Sequence, residues 1–156
     1  MKIAIGSDSL GQELKQKLIK EFSSKGYEFE DFGVYPADGM PPKEDYPDIA
    51  FRVATAIREG NFQRGVLICG TGIGMSISAN KVKGVYAAVC HDLYSTERSI
   101  LSNNVQILCM GALVIGPSSA IALLDRWLQL EFKPSPSLAK IQKIKDYENC
   151  AGGIEA

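Results

Sequence analysis

Cys69-Gly70-Thr71-Gly72-Ile73-Gly74 brings together the residue types that proton transfer at an oxygen-bearing substrate requires. Alternate glycines at a strand-to-helix turn let backbone N–H groups converge on one point. The positive start of the next helix adds to them, so the run reads as an anion pocket. A glycine turn made only for close helix packing is the competing reading. The thiol of Cys69 precedes these amides at the end of an apolar strand. Negative charge on sulfur is steadied there, which suits a base or a nucleophile. Buried cysteine is more commonly a small hydrophobe, and Cys90, which also ends an apolar strand, is the internal comparison.

Nucleotide chemistry fits the loop less well. A P-loop needs GxxxxGK[ST], and no Gly-Lys-Ser/Thr follows. A dinucleotide fingerprint needs GxGxxG, whereas this run is GxGxG followed by Met75. Asp92 stands about 20 residues on, where a ribose-binding acid would lie. The helix between is nonetheless short for a dinucleotide crossover, and no cofactor is expected. Nor is a metal: His91 is the only histidine, and Cys69, Cys90, Cys109 and Cys150 form no CxxC pair. The cysteines read as reduced thiols, three of them core fillers.

Asp8 follows the first strand and reaches the same rim of the fold. It suits both a place in a site at that rim and capping of the helix that starts near Leu10. Asn103 and Asn104 close a later helix, where asparagine is a common left-handed terminator. Lys140 and Arg98 are candidate anion partners, although a single basic side chain is more often solvated surface.

The elements that position these residues follow from periodicity. Apolar or alternating runs predict strands over 2–6, 26–33, 65–69, 85–89 and 105–111. Helical spacing covers 10–22, 46–60, a short segment ending near Asn80, 95–101, 117–130 and 135–148. Val34–Pro47 holds four of the seven prolines and reads as a loop. Strands that alternate with helices give an α/β fold, a three-layer α/β/α Rossmann-like domain over 1–150 with a five-stranded parallel sheet and a short tail over 151–156. Ligands bind beyond the carboxyl ends of such strands, so the loops of interest are 6–11, 69–74, 90–94 and 111–116.

Composition bounds the partners. The chain has 156 residues, 46% of them apolar and 22% charged, as in an ordinary globular protein. Seventeen basic residues against eighteen acidic leave a net charge of −1, which argues against nucleic-acid binding by a broad basic face. No apolar run approaches the roughly 18 residues of a membrane span. No secretory leader is visible, so no membrane association and a cytoplasmic location are expected.

The stretches GSDSLG, EDYPDIA, VLICGTGIGMSISANKVKGVYAAV and SNN occur in the order seen in ribose-5-phosphate isomerase B and its galactose-6-phosphate isomerase relatives. The chain resembles that family from Met1 to about Glu148, most specifically in CGTGIGMSISANK. The resemblance implies a metal-independent aldose–ketose isomerase of phosphorylated sugars, working through an enediolate. It also implies a homodimer, possibly a tetramer, with active sites shared between subunits and the last helix packed on the partner. By position, Cys69 matches the residue that moves the proton, Gly70, Gly72 and Gly74 the loop that holds the enediolate oxygen, and Thr71 the hydroxyl beside it. Asp8 and Tyr46 match substrate-facing positions, Asp8 being counted with Cys69 and Thr71 as catalytic, and Asn103 matches a contribution from the partner subunit. Met75 occupies the position where another branch carries a glutamate base, which places this chain in the cysteine branch.

The departures bear on substrate. The family's ring-opening histidine falls at Ser102, and the histidine after the first-loop aspartate falls at Ser9. The phosphate-gripping arginines fall at Leu113 and Pro136, with Lys140 at a third such position. Phosphate therefore falls to Lys140, with Arg98, Ser9 and loop amides as further partners. A hydroxyl does not exchange protons near neutral pH as imidazole does. A substrate that forms no ring needs no such group, and erythrose 4-phosphate, whose C4 oxygen is esterified, is one. ERSILSNNVQILCMG and WLQLEF also resemble the branch acting on D-erythrulose 4-phosphate. The alternatives are isomerisation of a pentose or hexose phosphate and, from another class, a non-catalytic sugar-phosphate binder.

Overall fold

A computed structural model describes residues 1–33 and 44–150. Most of the expected loop at 34–47 and the expected tail at 151–156 therefore lie outside the described residues. In chain order the elements are β1 (Lys2–Ser7), α1 (Gln12–Ser23), β2 (Glu28–Asp31), α2 (Tyr46–Arg58), β3 (Arg64–Cys69), α3 (Ile73–Ala79), β4 (Ala87–Val89), α4 (Leu93–Leu101), β5 (Ile107–Gly111), α5 (Pro117–Leu128) and α6 (Leu138–Cys150).

The five strands form one parallel sheet in the order β2-β1-β3-β5-β4. Period-two alternation sends neighbouring residues of each strand to opposite faces. Ile3, Ile5, Val66, Ile68, Leu108 and Met110 pack with Leu18 and Phe22 of α1, Ile100 of α4 and Trp127 of α5. Ala4, Leu67, Cys69, Ile107 and Cys109 pack with Ile49 and Val53 of α2 and Met75 of α3 on the other face. Because both faces are covered, β3 and β5 carry the unbroken apolar runs visible in the sequence.

Several boundaries move inward from the periodic signal. The strand expected over 85–89 begins only at Ala87, because Val85 N–H closes a turn on Val82 O. Asn80 then acts as a stub of neighbouring strand: its Nδ2 donates to Ala87 O at 2.8 Å and its Oδ1 accepts Ala87 N–H at 2.9 Å. Asn80→Ala removes both bonds, and about 1–2 kcal/mol of unfolding free energy should go with them. A urea midpoint unchanged from wild type would refute that role.

The helix expected to begin at Ser95 begins at Leu93, with the Asp92 carboxylate accepting Ser95 N–H at 2.8 Å as its cap. The last helix begins at Leu138 rather than Ser135, and of its residues only Ile141 is buried, while Leu138, Ile144 and Tyr147 are exposed. No described helix is long and apolar enough to cross a membrane.

Candidate active site

The carboxyl ends of β1, β3 and β5 are tied into one rim. Asp8 N–H donates to Ile68 O at 3.1 Å, Ala112 N–H to Cys69 O at 2.8 Å and Leu113 N–H to Gly70 O at 3.0 Å. Cys69 is the last residue of β3 and 5% exposed, on the face covered by α2 and α3. Its Sγ accepts Gly72 N–H at 3.0 Å, a donor that steadies negative charge on sulfur. Thr71 is exposed, and its Oγ1 accepts Ile73 N–H at 3.3 Å, which leaves its own proton to donate elsewhere.

The glycines are there for close approach as well as for their amides. Gly72 has φ +79°, and a Cβ on it would meet the Met110 carbonyl carbon at 2.9 Å. A Cβ on Gly74 would fall 2.5 Å from the Tyr46 ring, so the first residue of α2 lies directly against α3. Tyr46 reaches that place because Pro47 and the Asp48 carboxylate, which accepts Asp45 N–H at 3.2 Å, fix the start of α2. Gly70 faces Leu10 and Leu113, which line a neighbouring cleft of about 320 Å³ together with Glu13 and Lys17. A larger cleft of about 440 Å³, beside Phe51 and Phe62, contains none of the candidate residues.

Asp8 fills the expected capping role only in part. Its Oδ1 accepts Gly11 N–H at 3.0 Å, forming a turn ahead of α1 rather than the cap itself, which is Gly11. Burial raises its carboxyl above the usual range, opposed by the Gly11 and Leu10 N–H groups. Ser9 beside it is exposed.

Four other candidates are not brought to this rim by the chain itself. From the carboxyl end of β4, α4 runs back toward the start of β5, where Arg98, Ser102 and Asn103 lie. Arg98 Nε donates to Ser102 Oγ at 2.9 Å, with a second, short contact from its Nη2, and Asn103 Nδ2 donates to Arg98 O at 3.3 Å. Lys140 follows α5, whose far end is tied to the start of β3 by Arg64 Nη2 on Leu130 O at 2.8 Å. Of the two asparagines it is Asn104, at φ +51°, that adopts the left-handed conformation.

Burial pushes Cys90 up to about 11 and Cys109 higher still, while Cys150 is exposed and all four cysteines are free. Met75 is fully buried in the core beneath the loop. Among the described residues, no three His, Cys, Asp or Glu side chains are grouped as a metal would need. His91, considered above only as a metal ligand, sits at this rim with Nε2 accepting Gly111 N–H at 2.8 Å, a bond across 20 residues with no signature in local sequence.

Residues 3–144 match the family model described as Ribose/Galactose Isomerase. A protein of Listeria innocua named ribose-5-P isomerase B is 49% identical, over 95% of this chain and 97% of its own. The D-erythrulose-4-phosphate isomerase of Pectobacterium atrosepticum is 45% identical, over 96% of each chain. The solved structure of Clostridium thermocellum ribose-5-phosphate isomerase B superposes with a TM-score of 0.90 at 40% identity, covering 97% of this chain and 99% of that one.

Proposed function

The chain belongs to the ribose/galactose isomerase family, and we propose that it interconverts D-erythrulose 4-phosphate and erythrose 4-phosphate through a cis-enediolate, with Cys69 as the base. The observation that carries this reading is Cys69 Sγ at the end of β3, held by Gly72 N–H at 3.0 Å beside the Thr71 hydroxyl. The sulfur takes a proton from the carbon beside the carbonyl. Charge passes to the carbonyl oxygen, toward which loop amides and Thr71 donate, and the proton of the neighbouring hydroxyl moves to that oxygen. The Cys69 thiol, open to exchange with solvent while the enediolate lives, returns a proton to the former carbonyl carbon. No bond of the carbon chain breaks and no external oxidant is needed.

The substrate assignment rests on Ser102. At the position that resembles the family's ring-opening histidine, the hydroxyl is engaged by the Arg98 guanidinium at 2.9 Å. Neither group is the imidazole that ring opening uses in the family it resembles. A tetrose 4-phosphate presents no furanose to open. The Listeria relative's name favours ribose 5-phosphate as the second reading.

The active form is a homodimer. Arg98, Ser102, Asn103 and Lys140 serve the site of a second copy, since within one chain they lie toward the opposite end of the sheet from Cys69. Ile73 and Ile77, four residues apart on α3 and both more than half exposed, supply an apolar face for it, with Leu93 and Tyr94. The sparsely packed α6 covers the partner. Lys140, with Arg98, Ser9 and loop amides, takes the phosphate.

Incubating the protein separately with D-erythrulose 4-phosphate and ribose 5-phosphate in deuterium oxide tests the reading. Isomerisation and deuterium uptake with the tetrose alone is the expected result. Turnover of the pentose alone would keep the isomerase and remove the substrate. Binding of both sugars without exchange into either would leave a binder.

A further inference from the structure

Pairing between β4 and β5 runs through Val89 and Cys109 and ends with Cys90 N–H on Cys109 O at 3.2 Å. Along a parallel ladder the next bond would join Gly111 N–H to the Cys90 carbonyl. That N–H goes instead to His91 Nε2 at 2.8 Å. A side chain thus replaces the last rung, at the strand end where the reacting loop begins.

Gly111 is closely coupled to that loop. It is the register partner of Cys69, and a Cβ on it would fall 2.6 Å from Thr71 Cα. The two amides that follow it donate to Cys69 O at 2.8 Å and Gly70 O at 3.0 Å. A shift of Gly111 is therefore passed to Cys69, Gly70 and Thr71 through two hydrogen bonds and a backbone contact.

We propose that His91 is a positioning residue of the Cys69 centre: its neutral imidazole, with the proton on Nδ1, anchors Gly111 and through it the loop that carries the base and its amides. This rests on the reading of Cys69 as the reacting residue, and His91 itself takes no proton in the reaction. A nitrogen that accepts Gly111 N–H carries no hydrogen of its own, so the bond fixes the tautomer. Burial lowers the imidazole below its ordinary value against the opposing charge of Asp92, which favours the same neutral form.

The chain has one histidine, so the imidazole ¹⁵N spectrum of the untagged protein reports this residue alone. The expected pattern at neutral pH is the Nδ1–H tautomer. In His91→Leu, kcat should fall about ten- to hundredfold while KM stays within about threefold, the signature of a displaced catalytic group. Amide exchange at Ala112 and Leu113 should quicken in parallel. His91→Gln, whose Oε1 accepts the same N–H without titrating, should recover most of kcat and the protection. An Nε2–H tautomer in the wild type, or wild-type kcat and protection in His91→Leu, would overturn the proposal. If the wild type isomerises neither sugar, the functional reading fails by itself, and exchange at Ala112 and Leu113 still decides the anchoring. Should the leucine variant not fold, the tautomer and the glutamine variant's exchange decide it.

Discussion

With alanine at Cys69, solvent exchange of the transferred proton should fall by about 10²–10⁴, the usual contribution of a positioned base. Sugar-phosphate binding should stay near wild type, because the amides and basic groups assigned to substrate remain. The loss should be this large because no neighbour can take over. Cys90 is pushed up to about 11 by burial and Cys109 higher, so neither supplies thiolate near neutral pH. Met75 is buried and has no titrating group. Asp8 is the one carboxyl of the set at this rim, and its Oδ1 already accepts Gly11 N–H at 3.0 Å. Deuterium uptake followed by proton NMR, with titration calorimetry for binding, separates chemistry from affinity. Exchange persisting within tenfold of wild type would move the base elsewhere and make Asp8 the next candidate.

How much of this was readable in advance depended on whether the determining interaction was local. Continuous apolar runs such as GVLIC betray strands covered on both faces, so the sheet and its carboxyl-end loops follow from the sequence alone. The order of the strands does not. β1 occupies one side of β3, and on the other side only three-dimensional packing decides that β5 lies between β3 and β4. The late start of β4 follows from the turn of Val85 N–H on Val82 O, and its first residue is paired by Asn80, a polar residue whose side chain acts like backbone seven residues on. The Cys69–Gly74 loop was legible because its chemistry is contiguous. Ser102, Asn103 and Lys140 drew their roles from resemblance and Arg98 from its charge alone, and the topology shows why spacing could not place them: α4 and α5 return toward the amino end of the sheet. His91 was overlooked because its partner is a backbone N–H on another strand.

Gly72→Ala should damage both stability and rate, and Gly60→Ala shows why the two losses are separable. Both glycines have φ +79°, a left-handed conformation that costs a residue with a Cβ about 1–2 kcal/mol. Nothing lies within 4 Å of a Cβ on Gly60, so its alanine variant should lose only that amount and keep wild-type kcat. At Gly72 the same Cβ would stand 2.9 Å from the Met110 carbonyl carbon and 3.2 Å from its nitrogen and oxygen. Those are backbone atoms in the centre of the sheet, which yield poorly, so overpacking should add about 1–3 kcal/mol. Relief comes by moving the loop outward, and Gly72 N–H is the donor to Cys69 Sγ. Displacing one such preorganised donor typically costs about 10²–10³ in rate, and a fall in kcat of that order is expected. Urea denaturation and steady-state kinetics on the two variants measure each part. Equal stability losses would mean that Met110 gives way. An unchanged kcat in Gly72→Ala would take the Gly72 amide out of the chemistry, because the same displacement that relieves the contact must also move the donor.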